Sequence, residues 1–156
     1  MQVIQFDRLG GSLVGSAGPA IYVASTAVVL AVVVRNLRLT GLPLVALGAA
    51  SNLAAIAANG GYMPSDPGAL AFAGMTPAEG PTNGIVVEDP VLRPLTDVFA
   101  LPAGVPLANV FSVGDVLIAL GVMVAIAAAM RAALAPGGAA LVPGEAAPTP
   151  PAGPAA

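Results

Sequence analysis

The chain has 156 residues, of which 57% are hydrophobic and 8% charged, and its formal net charge is −3. A soluble domain carries roughly a quarter charged residues, so this composition would leave a water-exposed surface apolar and prone to aggregation. The composition argues against a soluble protein and predicts an integral membrane protein whose first partner is the lipid bilayer.

Several reactive residue types are missing from the sequence, which contains no His, Cys, Lys or Trp. Ser-His-Asp and Cys-His catalytic arrangements, the commonest zinc sites and lysine Schiff bases therefore cannot form within this chain. The five Arg residues are scattered and form no basic patch of the kind that binds nucleic acid. We expect no cofactor, no metal site and no nucleic-acid partner, and an enzyme is the less favoured interpretation.

Three apolar stretches are candidate membrane spans, for which about 20 mostly apolar residues of helix are needed, although the second is short and is interrupted by polar residues. They cover residues 19–34, 42–58 and 113–134. Pro43 suits the first turn of the second helix, and Gly60-Gly61 suits its end. Ser112 and Asp115 have the spacing of a helix N-cap at the start of the third. The sequence predicts an all-α, polytopic membrane domain over residues 1–135 with three transmembrane helices.

The arginines predict the orientation of these helices. Arg35 and Arg38 lie between the first two spans, and Arg131 lies at the far end of the third. Cytoplasmic ends of membrane helices collect Arg and Lys. We therefore expect the N-terminus outside, the C-terminus inside, and a location in the plasma membrane.

The long segment 60–110 is proline-rich and is expected outside the membrane. Ser65-Asp66-Pro67 predicts the start of a short helix that Gly74 ends. Thr76-Pro-Ala-Glu79 repeats the capping-box spacing, and residues 85–87 favour an extended piece.

Prolines interrupt residues 91–111 too often for a straight spanning helix. This stretch is expected at the outer interface, over the bundle or as a shielded re-entrant loop, with four large side chains facing lipid or protein. These are Phe99, Leu101, Leu107 and Phe111.

The last residues, 136–156, are rich in Pro, Ala and Gly and almost free of charge. Such a composition predicts a disordered C-terminal tail.

Asn52 and Asn59 are the most prominent polar residues of the second span. Their spacing of seven places them on one helix face. A buried amide in lipid must be hydrogen-bonded, so this face is expected to contact another helix or a polar cavity. An interhelical hydrogen bond is favoured over a ligand contact.

Two acids are candidates for chemistry. Asp115 is ionisable and lies in a span, which marks a functional candidate, but helix capping explains it more simply. Asp97 has Arg93 four residues before it, and a surface ion pair or a solvated acid is favoured over a catalytic role.

The sequence contains four motifs, which read RNLRLTGLPLVALGAASN (35–52), AANGGYMP (57–64), LTDVFALP (95–102) and FSVGDVLIALG (111–121). They resemble those of a family of small bacterial integral membrane proteins that carry a domain of unknown function. The resemblance covers roughly residues 20–131 and implies a helical membrane protein with no established activity. It marks as motif positions Asn52, Asn59, Gly60, Gly61, Met63, Pro64, Ser112, Gly114 and Asp115.

The resemblance also implies that relatives in that family have further apolar helices upstream of the matched region. At that place this sequence has only residues 1–18. The resemblance therefore implies a truncated start or a shortened member whose bundle is completed by other membrane helices, in a homo-oligomer or a hetero-complex.

Three functional hypotheses follow. The leading one is a non-enzymatic structural or accessory subunit of a membrane assembly. The second is a small transporter or channel component that routes solute past Asn52, Asn59 and Asp115. The third is a membrane enzyme that uses Asp97 or Asp115 on a lipid-borne substrate.

Overall fold

The computed structural model describes residues 17–76 and 84–134. Three long helices, α1 (Gly18–Arg35), α2 (Leu42–Ala58) and α4 (Val113–Leu134), occupy the three predicted stretches. Between α2 and α4 the chain forms strand β1 (Met63–Ser65), helix α3 (Pro67–Phe72), strand β2 (Gly84–Val86), a 3₁₀ turn (Arg93–Leu95) and strands β3 (Phe99–Ala100) and β4 (Val110–Phe111).

These strands correct the all-α prediction, although the protein is mostly helical. Strand β1 pairs in parallel with β2, and Ser65 also bridges to Asp97. Strands β3 and β4 form an antiparallel hairpin. Prolines favour extended backbone before them and block long helices, and β-branched residues in β2 fit a strand, which explains strands in this segment.

The short helix α3 begins where its sequence predicts. The side chain of Asp66 accepts a hydrogen bond from the backbone N–H of Ala69 at 3.0 Å, and Pro67 occupies the first turn. The helix ends at Phe72, and Gly74 follows its C-cap residue with a φ of +69°, which suits glycine. Residues 77–83 and 135–156 lie outside the described residues, and with them the Thr76–Glu79 capping box and the predicted tail.

Helices α2 and α4 run antiparallel and pack at very close range. A Cβ on Gly114 would lie 2.8 Å from the carbonyl oxygen of Gly48, and a Cβ on Gly121 would lie 2.7 Å from that of Gly41. Real Cβ atoms do not approach backbone this closely, so glycine is required for the contact. Small residues at these positions let two helix backbones meet, as in membrane helix pairs.

Helix α1 packs on the other side of α2, to which a tight turn joins it. The start of α1 lies at the end of α2, because a Cβ on Gly61 would collide with Pro19. One end of the bundle therefore holds the start of α1, the end of α2 and the start of α4. We call it the capped end because the described residues of the segment 62–111 (62–76 and 84–111), which we call the covering segment, pack there. We call the opposite end, with Arg35, Arg38 and Arg131, the arginine end.

Burial is concentrated at the capped end. Ala55, Ile56 and Met63 form a buried core cluster against which Tyr22, Val23 and Leu95 pack. In contrast, α1 has no buried residue and α4 has only two, both glycines. Within the described residues, α1 and α4 are long and apolar enough to cross a membrane, whereas α2 has 17 residues and is shorter.

Candidate functional site

A hydrogen-bonded polar cluster lies at the capped end, where α4 begins. Ser112 precedes the helix and Asp115 is in its first turn, and the two form a reciprocal cap. The backbone N–H of Ser112 donates to Asp115 Oδ2 at 2.9 Å, and the backbone N–H of Asp115 donates to Ser112 Oγ at 3.1 Å. These bonds satisfy backbone donors that a helix start leaves unpaired.

Asn52 joins this cap from the neighbouring helix. Its Nδ2 donates to Asp115 Oδ1 at 2.8 Å, and its Oδ1 lies 2.8 Å from Ser112 Oγ. The Ser112 hydroxyl also lies 2.9 Å from Asp115 Oδ2, so two acceptors share its one proton. The cluster Asn52–Ser112–Asp115 therefore ties the end of α2 to the start of α4.

Gly114 makes room for this cluster. A Cβ at this position would collide with Asn52 Oδ1 and would also approach the backbone of Gly48. Because Gly48 and Asn52 lie one turn apart on α2, the helix contact and the polar cluster depend on the same two glycines. Ser112 is fully buried, and Asn52 and Asp115 are partly buried.

Asp97 lies beside this cluster, on the covering segment. Its backbone N–H donates to the carbonyl of Pro64 at 3.0 Å, and its carbonyl accepts from Asp66 at 3.0 Å. Burial of the Asp97 carboxyl and the nearby negative charge of Asp115 raise its pKa to about 6, and a long 3.5 Å hydrogen bond from Ser65 Oγ offsets part of this effect. The charged form of Asp97 is therefore disfavoured.

The prediction of an ion pair between Asp97 and Arg93 is wrong, and the Asp97 side chain is partly buried. Arg93 pairs with Asp66 instead, at 3.0 Å between Nη2 and Oδ2, and the backbone of Asp97 forms a bridge with Ser65. The backbone N–H of Ala69 and the guanidinium of Arg93 hold the pKa of Asp66 below its ordinary value.

Asn59 lies apart from the cluster and fastens the covering segment to α2. Its Nδ2 donates to the carbonyl of Val91 at 2.9 Å, and its Oδ1 accepts from the N–H of Val91 at 3.0 Å. The side-chain amide of Asn59 thus exchanges two hydrogen bonds with the backbone of Val91, as a paired strand residue does. Asn52 and Asn59 share a helix face but contact different parts of the molecule.

The remaining motif positions form the turn after α2. Gly60 and Gly61 have φ of +74° and +91°, which glycine adopts without strain, and Gly61 N–H donates to the carbonyl of Ile56 at 2.9 Å. Met63 and Pro64 follow in β1, and both are buried. These residues hold the covering segment close to the helices.

An apolar groove of about 370 Å³ runs from this site along the outer side of α4. Asp115 lies at one edge of the groove, but both of its carboxylate oxygens are hydrogen-bonded within the cluster. The groove is lined by Phe111, Asp115, Val116, Ala119, Leu120 and Met123. Its surface is therefore almost wholly apolar.

The carboxylates of the described residues 17–76 and 84–134 include no group of three that could hold a metal ion. The chemistry available at the capped end is proton binding at Asp97 and hydrogen bonding within the cluster.

The sequence matches the model of a family of unknown function, DUF5317, over residues 2–127. The chain belongs to this family. The match contains α1, α2, the covering segment and most of α4, so the cluster and its glycines all lie within the DUF5317 region. No curated protein and no solved structure matches the chain.

Sequence reasoning did not identify Ser65 or Tyr22 as neighbours of the acids in this DUF5317 chain. Ser65 is a buried hydrogen-bond donor to Asp97, and Tyr22 packs on the core cluster. The sequence also did not show that Asn52 meets Asp115. One signal was present in the sequence. Gly48 lies one helical turn before Asn52, Gly114 lies between Ser112 and Asp115, and glycines of this kind mark where helix backbones approach.

Proposed function

We propose that the chain is an integral membrane protein in which α1, α2 and α4 span the bilayer, with the capped end outside. It acts as a non-enzymatic structural or accessory subunit of a larger membrane assembly. The observation that carries this proposal is the exposure of apolar side chains along α1 and α4.

Both helices present large apolar side chains to the surroundings. Val28 is 64% exposed on α1, and Met123 and Ile126 are 58% and 55% exposed on α4. The core helix of a water-soluble protein would bury such residues, and exposed apolar surface on this scale favours lipid as the solvent.

Helix α1 is near the N-terminus, where a cleaved leader can have the same composition. Its contacts favour a permanent role, because Tyr22 and Val23 pack against the core cluster and Pro19 packs against Gly61. Removal of α1 would uncover the core cluster.

The two ends of the bundle differ in charge, and the difference agrees with the proposed orientation in the membrane. Arg35, Arg38 and Arg131 lie at the arginine end, whereas the covering segment carries five acids in residues 60–110 against Arg93 alone. Positive charge is retained on the cytoplasmic side, which supports an external capped end.

The hydrogen bonds of the polar residues support a structural role. Asn52, Ser112 and Asp115 bond one another, and Asn59 bonds Val91. Their donors and acceptors hold helices and covering segment together, which favours a structural role over a polar path for solute.

Single cysteines test the orientation, because the natural sequence contains no cysteine. Glu88→Cys places a thiol in the covering segment, and Thr40→Cys places one in the turn between α1 and α2. We expect a membrane-impermeant maleimide to label Glu88→Cys on intact cells and Thr40→Cys only after lysis. The reverse pattern, or equal labelling of both, contradicts the orientation.

Purification of the full chain in mild detergent tests the subunit role. We expect a particle whose protein mass, measured by light scattering, exceeds that of one chain, or a complex with other membrane proteins. A stable, monodisperse monomer would contradict this part of the proposal.

A second candidate function rests on Asp97, whose pKa of about 6 suits a group that exchanges protons near neutral pH. In that case Asp97 acts as an acid or base on a lipid-borne substrate at the membrane surface. Asp97→Asn then changes the lipid profile of cells that depend on this protein, and an unchanged profile removes the candidate.

A further inference from the structure

The β3–β4 hairpin (residues 99–111) exposes an unusual amount of apolar surface at the capped end. No charged residue occurs from 98 to 114. Its large side chains are largely exposed: Phe99 46%, Leu101 40%, Val105 44% and Leu107 89%. An apolar loop tip of this kind is unfavourable in water and favours insertion into another apolar medium.

Leu107 is the most exposed of these residues and is also strained. Its φ is +67°, in the left-handed region that glycine or asparagine adopts more easily. A leucine here is unfavourable both for backbone conformation and for contact with water. Outliers of this kind point to a role of the side chain.

The backbone of the hairpin tip is suited to a medium without water, where every unpaired N–H is costly. Most residues from 101 to 108 either donate a backbone hydrogen bond inside the protein or have no N–H. The donors are Leu101, Ala103, Val105 and Ala108, and the residues without an N–H are Pro102 and Pro106.

The hairpin is continuous with the exposed face of α4. The ring of Phe99 stacks on that of Phe111, with centroids 5.7 Å apart. Phe111 in turn lines the apolar groove together with Val116 and Leu120. The apolar surface of the hairpin thus extends the surface that α4 offers to lipid.

From these four observations we infer that the β3–β4 hairpin inserts its tip into the hydrocarbon of the leaflet at the capped end, beside α4. The occupant of this surface is lipid acyl chain. The inference rests on the proposed membrane location, and it makes the hairpin a second attachment to the bilayer besides the spanning helices.

Tryptophan fluorescence tests the insertion, because the natural chain contains no tryptophan. Leu107→Trp and Val105→Trp place one indole each at the hairpin tip of the full chain, reconstituted in phosphatidylcholine–phosphatidylglycerol vesicles. Two quenchers are compared: lipids with brominated acyl chains and acrylamide in the water. Asp89→Trp, at an exposed position of the same covering segment, is the aqueous control, and Ile126→Trp on α4 is the lipid control.

We expect both tip variants to follow Ile126→Trp, with strong quenching by brominated lipid and at least a threefold weaker response to acrylamide than Asp89→Trp. Tip variants that follow Asp89→Trp overturn the insertion while the spanning helices stand. Tip variants quenched by neither agent also overturn it, since protein then covers the tip. If Ile126→Trp itself escapes brominated lipid, the membrane location fails and the insertion with it.

Discussion

The two ends of the helix bundle are built differently. At the capped end, hydrogen bonds and close glycine contacts join α2, α4 and the covering segment around Asn52, Ser112 and Asp115. At the arginine end, residues 36–40 of the turn between α1 and α2 are exposed, and the side chain of Asn36 donates a hydrogen bond to the carbonyl of Val32 in the helix that it follows. The contrast indicates that side-chain hydrogen bonds between elements are concentrated at the capped end, whereas the close packing of α2 on α4 continues to Gly41 and Gly121 near the arginine end.

The largest loss of stability is expected when the close contact between α2 and α4 at the capped end is disturbed. Gly114→Ala adds a Cβ that collides with Asn52 and the backbone of Gly48. Alanine ordinarily favours helix over glycine by about 1 kcal/mol, but here we expect a net loss of about 3 kcal/mol from overpacking and broken hydrogen bonds. Thermal unfolding in detergent, followed by circular dichroism, measures it.

Gly104→Ala is the matched control, because a Cβ at Gly104 meets nothing within 4 Å. We expect its melting temperature to stay near that of the natural chain. Equal melting temperatures for the two variants would show that α2 and α4 do not approach as described.

The next largest effect on stability is a comparison of two asparagine variants, one from each end of the bundle. Asn52→Ala removes a donor from Asp115 and leaves buried polar atoms unpaired, at a cost of about 1–3 kcal/mol, whereas Asn36→Ala at the exposed turn should cost less than about 0.5 kcal/mol. A double-mutant cycle of Asn52→Ala with Ser112→Ala should give a coupling of at least about 0.5 kcal/mol. Additive effects would contradict a shared cluster.

A smaller effect depends on pH and concerns Asp97. Its pKa rises from 3.8 to about 6 on folding, so the protonated form stabilises the fold below about pH 4, and this contribution is lost as the pH rises through 6. We expect the free energy of unfolding of Asp97→Asn at pH 7 to exceed that of the natural chain by about 1 kcal/mol after solvent screening. Near pH 4 the two proteins should be equally stable. A difference that is constant over this window would exclude Asp97 as its source.

The smallest effect concerns the exposed ion pair of the covering segment. The Arg93 side chain is 60% exposed, and such pairs contribute about 0–1 kcal/mol. Arg93→Gln should therefore lower stability by less than about 1 kcal/mol, and added salt should reduce the difference further. A larger, salt-resistant loss would assign Arg93 a role inside the capped end.

The helices could be predicted from the sequence because their signals are local. Uncharged apolar runs, Pro43 in the first turn of α2, and the Ser112–Asp115 spacing mark α1, α2 and α4 to within a residue or so. The cap of α3 at Asp66 was readable for the same reason. Each of these features depends on residues within one or two helical turns.

The covering segment and the site could be predicted only in part, because their contacts join distant residues. Asn52 and Asp115 are 63 residues apart, and Asn59 and Val91 are 32 apart. Helical spacing placed both asparagines on one face, but no local pattern indicates that one meets α4 and the other a loop. The same limit explains why Arg93 was assigned to Asp97, four residues away, when its partner is Asp66.

The proposal that lipid surrounds α1, α2 and α4 can be tested by fractionation of cells that express the full chain. After lysis and an alkaline carbonate wash, we expect the chain to stay in the membrane pellet and to be released only by detergent. Recovery of the folded chain in the detergent-free supernatant would contradict it.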